Sequence, residues 1–219
     1  MADITIVITS FNKGNLLERA VRSATGQFLL RKSIEIIVVD DASTDNSLEK
    51  INDLSGEIKI IKHQKNLGVA QASNSGLKAS TGKYWMRLDA DDYLSQMAIQ
   101  YMSSILDSNN NIDFVYADLL KIKSDNLTTE RIKLDNVNQL LLHGAGILFK
   151  KETLIKYDGY NNELRNGEDF DLIARMLKGG AIGFYLPIPL YRYFHQNDGL
   201  TNHDERQIII NNLRSKYGF

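Results

Sequence analysis

Ile34-Glu35-Ile36-Ile37-Val38-Val39-Asp40-Asp41 is a nearly unbroken apolar run that stops at two carboxylates. A short Ile- and Val-rich run of this kind predicts a strand buried on both faces, as in a parallel sheet. The same pattern stands before it in residues 4–8 and after it in residues 58–61 and 84–88. Segments of helical period separate these runs. Leu16, Leu17, Ala20, Val21 and Ala24 repeat on one helical face, and Leu48, Ile51 and Leu54 suggest a second helix capped by Ser43 or Thr44. Residues 69–79 read as a helix of small residues able to pack closely on a sheet. The order βαβαβαβ predicts an α/β fold with a mostly parallel, doubly wound sheet, whose ligands bind beyond the carboxyl ends of the strands.

Beyond Asp92 the rhythm loosens. Residues 96–106 and 168–177 read as helices, 114–117, 147–149 and 182–185 as strands, and 124–138 as a polar loop with a poorly defined strand. Both prolines, Pro187 and Pro189, suit a strand edge. A final helical stretch carries Ile208, Ile209 and Leu213, with packing on the core expected ahead of a partner subunit or a membrane surface. The chain of 219 residues is expected to form one domain. Its 26 Lys and Arg against 27 Asp and Glu give a net charge of -1, which argues against binding along a nucleic-acid backbone. The absence of cysteine leaves any metal to oxygen or imidazole ligands. The start reads as a first strand and not as a signal peptide, and no window approaches the roughly 18 apolar residues of a membrane span, so a cytoplasmic location is expected.

Carboxylates gather at three strand or helix ends. Asp40 and Asp41 precede Ser43 and Thr44 and serve as well for a turn and a cap as for a site. Asp89, Asp91 and Asp92 repel one another unless they are solvated, protonated or bridged by a cation, and a hard divalent ion with oxygen ligands resolves that repulsion. Glu168 and Asp169 open a helix, where carboxylates complement the positive dipole end without any functional demand.

Thr9-Ser10-Phe11-Asn12, the run 38–45 (Val-Val-Asp-Asp-Ala-Ser-Thr-Asp), Asn66-Leu67-Gly68-Val69 with Asn74, Leu88-Asp89-Ala90-Asp91-Asp92 and Gly167-Glu168-Asp169 follow one another in an order that resembles the family 2 glycosyltransferases. The resemblance extends from Ile4 to about Thr201. It implies a GT-A fold, a single Rossmann-like domain divided into a nucleotide-binding half (1–94), an acceptor-binding half (95–201) and a C-terminal helix (202–219). It also implies a metal-dependent, inverting transfer of a hexosyl or N-acetylhexosaminyl group from a nucleotide sugar to a glycan or lipid-linked hydroxyl acceptor in bacterial surface polysaccharide synthesis, at the inner face of the membrane.

On that resemblance Thr9, Phe11 and Asn12 would line the base pocket and Asp41 would accept from the base N3–H, which suits uracil or thymine and makes a UDP-sugar the first choice. Asn66 and Arg87 would lie on the nucleotide side, Asp89 would face the ribose, and Asp91 would ligate Mg or Mn, with Asp92 supporting the metal or the loop. Asp169 would be the base that deprotonates the acceptor, with Glu168 as its competitor or as a binder of acceptor hydroxyls. The segment 191–197 (Tyr-Arg-Tyr-Phe-His-Gln-Asn) resembles the part that closes over the diphosphate, with His195 as a third metal ligand or phosphate contact and Arg192 as a charge partner. A His packed among the aromatic residues is the competing reading of His195; His63 reads as a surface residue. Two departures stand out: Thr9 where the family often has proline, and Ser73 where it often has an arginine that contacts phosphate. The alternative from another class is a non-catalytic nucleotide-sugar-binding scaffold that keeps the fold.

Overall fold

The computed structural model describes residues 2–54, 58–123, 129–194 and 204–219. The chain runs β1 (Ile4–Ser10), α1 (Asn15–Thr25), β2 (Ile34–Asp40), β3 (Ile58–Lys62), α2 (Val69–Ala79), β4 (Tyr84–Asp89), β5 (Tyr93–Leu94) and α3 (Ala98–Ser108). It continues through β6 (Phe114–Ile122), β7 (Thr129–Ile132), α4 (Val137–Leu142), β8 (Leu148–Lys150), α5 (Lys151–Lys156), α6 (Glu168–Lys178), β9 (Gly183–Phe194) and α7 (Asp204–Tyr217). The strands form one sheet in the order β3-β2-β1-β4-β8-β6-β9-β5, with β7 paired to β6. β3, β2, β1 and β4 are parallel, whereas β8 is antiparallel to both neighbours. Strand order therefore reverses between β1 and β4, and a crevice opens beyond their carboxyl ends.

Alternation along β1 decides what covers the sheet. Ile4, Ile6 and Ile8 face α1 and α3 through Leu17, Val21, Met102 and Leu106, while Val7 faces the other side, where α2 and α6 contribute Ala72, Leu77, Phe170 and Ile173. The small-residue character of α2 has its expected use: a Cβ at Gly76 would lie 2.2 Å from Val7 Cγ1, so only glycine lets this helix reach the sheet. On α7, Ile210 and Leu213 are buried and Ile208 is exposed, which seats the helix on the core. No helix among the described residues is long and apolar enough to cross a membrane.

Two local expectations are corrected. The helix expected over Leu48, Ile51 and Leu54 is only a 3-10 turn, Glu49–Ile51. The groups that would cap a longer helix are used elsewhere: Thr44 N–H donates to Asn12 Oδ1 (2.8 Å), while Ser43 Oγ accepts from Asn12 N–H (2.9 Å). Pro187 and Pro189 lie where β9 pairs with β6 alone, because β5 pairs only Tyr191 and Arg192; they occupy the expected strand edge, at a slip of the β6–β9 register between Ala117 and Leu119. β6 also extends five residues past Ala117, to Ile122, because the bulge lets β9 resume pairing.

Candidate functional site

A cleft of about 550 Å³ opens where β1 and β4 end side by side, with Thr9 paired to Asp89 in register. Its size is that of an ordinary small-molecule site. At one end the β2 terminus supplies Asp41, which is buried. Its Oδ1 accepts from Leu67 N–H (2.9 Å) and its Oδ2 from Gly68 N–H (2.7 Å), and His63 Nδ1 lies 2.7 Å from Oδ1. The other nitrogen of His63 lies 2.9 Å from Ser75 Oγ. His63 is thus no surface residue: with 9% of its side chain exposed, it braces Asp41 against α2. Asn66 lines the cleft and accepts from Arg165 (3.2 Å), whose guanidinium covers Gly68. Thr9 and the half-exposed Phe11 line the same end. Asn12 does not; its side chain ties the β1 loop to the β2 loop.

The second acidic group divides by function. Asp91 pairs with Lys13 at 2.6 Å, and Arg19 donates to the Asp91 carbonyl (2.6 Å) while stacking between Tyr93 and Phe194. Asp92 is buried, and both of its oxygens are engaged, by Tyr191 O–H (2.6 Å) and Phe194 N–H (2.8 Å). Burial and then its acidic neighbours raise its pKa well above the usual carboxylate range. Of the two roles expected for Asp92, its bonds serve the loop. Arg192 is not brought to the cleft, because it donates to Pro189 O (2.5 Å) on its own strand. His195 lies outside the described residues.

Arg87 is the hub of the site. It is 3% exposed and reaches Asp169 Oδ2 (2.7 Å), Glu168 Oε1 (3.1 Å) and Asp89 Oδ1 (3.0 Å), the last contact bent away from hydrogen-bond geometry. Burial alone would lower its pKa, yet Asp169, Asp89, Tyr160 and Glu168 together raise it well above the ordinary value, so the guanidinium is a permanent cation. One cation serves three carboxylates, and the shortfall appears on Glu168, which burial and then Asp169 push up to about 7. Asp89 is raised too, by burial first and with Arg87 opposing. Asp169 Oδ2 is fixed by Arg87, but its Oδ1 is buried without a hydrogen-bond partner among the described residues. Gly144 lies flat against this carboxylate: a Cβ there would stand 2.3 Å from Asp169 Cβ. Next to it, His143 is held neutral, its pKa lowered to about 4 by burial and then by Arg206.

The structure therefore gathers Thr9, Phe11, Asp41, Asn66, Arg87, Asp89, Asp91, Asp92, Glu168 and Asp169 around one cleft. Sequence reasoning missed Lys13, His63, Arg165 and Arg206, cations or a potential cation scattered along the chain, each given meaning only by its acidic or polar neighbour in space. Among the described residues no three His, Asp or Glu side chains converge as a metal cage. Asp91 and Asp89 nevertheless supply the hard oxygen donors that Mg or Mn uses, commonly one or two carboxylates completed by substrate phosphates.

The sequence profile described as "Glycosyl transferase family 2" matches residues 5–170. An uncharacterized glycosyltransferase of Rickettsia felis is 30% identical over 225 residues, covering 94% of this chain and 37% of its own length. Chondroitin synthase of Pasteurella multocida is 28% identical over 222 residues, covering 95% of this chain and 23% of its own. The chain thus spans little more than a third of the first relative and under a quarter of the second. Among solved structures, TarS of S. aureus in complex with UDP-GlcNAc superposes with a TM-score of 0.78 over 98% of this chain and 66% of its own, at 16% identity, a likeness of fold that bears out the expected GT-A architecture. With the profile matched over most of its length, the chain belongs to glycosyltransferase family 2.

Proposed function

We propose that this chain carries the catalytic site of a metal-dependent, inverting glycosyltransferase that moves a hexosyl or N-acetylhexosaminyl group from a UDP-sugar to a hydroxyl of a glycan or lipid-linked acceptor. The observation that carries the reading is the Asp169 carboxylate, one oxygen fixed by Arg87 at 2.7 Å and the other buried and without a partner among the described residues. Arg87 keeps Asp169 oriented, and Oδ1 takes the proton of an acceptor hydroxyl as it attacks the anomeric carbon opposite the departing UDP. A single displacement needs one base and inverts the configuration. Glu168, near half-protonated at neutral pH, donates to or accepts from a neighbouring acceptor hydroxyl. Asp91 with Asp89 would hold the Mn or Mg ion, which when bound neutralises charge on the diphosphate. Arg165, over Gly68 and beside Asn66, offers the positive charge that the Ser73 position lacks.

The uridine donor draws support from the carboxylate of Asp41 at the base end of the cleft and from the UDP-GlcNAc bound to TarS. A glycan acceptor and a part in surface polysaccharide synthesis draw support from the resemblance to chondroitin synthase, with residues 1–94 binding the nucleotide and 95–201 the acceptor at the cytoplasmic face of a membrane. The test is a panel of UDP-, GDP- and dTDP-sugars with Mn or Mg, scored for thermal shift and nucleotide release. UDP-sugars should stabilise the protein and release UDP only with metal. Equal response to GDP-sugars, or release unaffected by chelation, contradicts the proposal. A second reading, a nucleotide-sugar-binding scaffold, draws on the Lys13–Asp91 pair, which already neutralises the expected metal ligand. UDP binding without release under any acceptor would favour it.

A further inference from the structure

The half of the cleft beyond Asp169 has a charge of its own. Gly144 touches Asp169, and the chain leading to it, Leu142 and His143, forms one wall of the cleft. Arg206 of α7 forms the facing part and spends one N–H on the Leu142 carbonyl (3.3 Å). Tyr193 sets its ring edge against His143 (6.3 Å between centroids), and Lys121 stands opposite Tyr193 in the β6–β9 register, hence on the same sheet face. Neither Arg206 nor Lys121 has a carboxylate partner among the described residues, although the neighbouring cations Lys13 and Arg87 are both paired. Arg206 lines the cleft and Lys121 stands near enough to act on His143, and an anion bound beside Arg206 would relieve the positive charge that neither shares with a carboxylate among the described residues. Burial first, and then Arg206 and Lys121 against the opposing Asp169, lower the pKa of His143 and keep it a neutral hydrogen-bonding group.

We infer that this is an acceptor subsite for an anionic sugar, a residue that carries a carboxylate or a phosphate close to the hydroxyl that is glycosylated, with Arg206 as the anion contact and Lys121, behind the cleft lining, adding charge at longer range. The inference rests on the reading of Asp169 as the base, which fixes where the acceptor hydroxyl lies. The carboxylate of a uronic acid and the phosphate of a sugar phosphate offer the same oxygen acceptors to a guanidinium, and the test separates them.

Calorimetry of the full chain, with and without saturating UDP and Mn, would compare methyl β-glucuronide, glucose 6-phosphate and methyl β-glucoside. At least one anionic probe should bind about tenfold more tightly than the glucoside with UDP in place, as one charge-assisted contact warrants. The tighter of the two identifies the anion. Arg206→Gln should abolish that preference, Lys121→Gln should reduce it, and Arg206→Lys, which keeps the charge, should retain part of it and guards against a folding defect in the first variant. Equal affinities for all three probes, or a preference that survives Arg206→Gln, overturns the inference. UDP binding without an anion preference sinks this subsite and leaves the proposed transferase standing. An anion preference without UDP binding sinks the proposed transferase and, with it, the reading of this anion site as an acceptor subsite.

Discussion

Replacing Arg87 by methionine keeps the length of the side chain and removes the cation that faces Asp169, Asp89 and Glu168 at 2.7, 3.0 and 3.1 Å. Two outcomes compete for the carboxylates left behind. They remain ionised and unpaired, which costs about 3–5 kcal/mol in a buried pair; or one of them takes up a proton. For an aspartate of ordinary pKa 3.8 that uptake costs about 5–6 kcal/mol at pH 8 but only about 2 kcal/mol at pH 5.5. The cheaper route sets the loss, so Arg87→Met should destabilise the fold by about 4 kcal/mol at pH 8 and by about 2 kcal/mol at pH 5.5. Urea unfolding followed by the fluorescence of the sole tryptophan, Trp85, reads this directly, since Trp85 is fully buried and its ring lies 6.1 Å from Tyr160, over which Arg87 stacks. Adding Glu168→Gln should restore part of the loss at pH 8. A loss that is the same at both pH values, or below about 1 kcal/mol at pH 8, would refute the picture of one buried cation shared by three carboxylates.

Two further outcomes follow from the same geometry. Because burial and Asp169 raise Glu168 from 4.5 to about 7, its folded form holds a proton that its unfolded form loses; its contribution to stability is full below about pH 4.5 and is lost as pH rises through about 7, by about 3 kcal/mol in all. Unfolding curves of wild type and Glu168→Gln should therefore diverge between pH 5 and pH 8, and an inflection near pH 7 in the wild-type kcat profile should vanish in the variant. Gly144→Ala drives a methyl into Asp169 and should lower kcat by about a hundredfold while UDP affinity stays level, because a displacement on the order of 1 Å at a reacting group costs that much; unchanged kcat would mean that Asp169 tolerates displacement.

The first half of the fold is legible because its strands are buried on both faces and announce themselves as apolar runs, each ending at the polar residues that line the cleft. α2, Val69–Ala79, coincides with its expected bounds, since its small residues are dictated by contact with β1. What stayed hidden is non-local. His63 sits between Lys62 and Gln64 and looks exposed, and only the approach of Asp41 and Ser75 from other segments buries it. The resemblance puts Arg87 on the nucleotide side, whereas its guanidinium reaches across to Glu168 and Asp169 at the start of α6. The carboxylate clusters were readable as clusters; which cation serves each of them was not.

The central claim is that Asp169 is the base of a glycosyl transfer from a UDP-sugar. Its most direct test is the rate of UDP release by Asp169→Asn, at saturating UDP-sugar, Mn and acceptor, beside the UDP affinity of the same protein. The rate should fall about 10²–10⁴-fold with UDP affinity unchanged, the loss expected when a general base is removed and binding is kept. Turnover close to that of the wild type would contradict it.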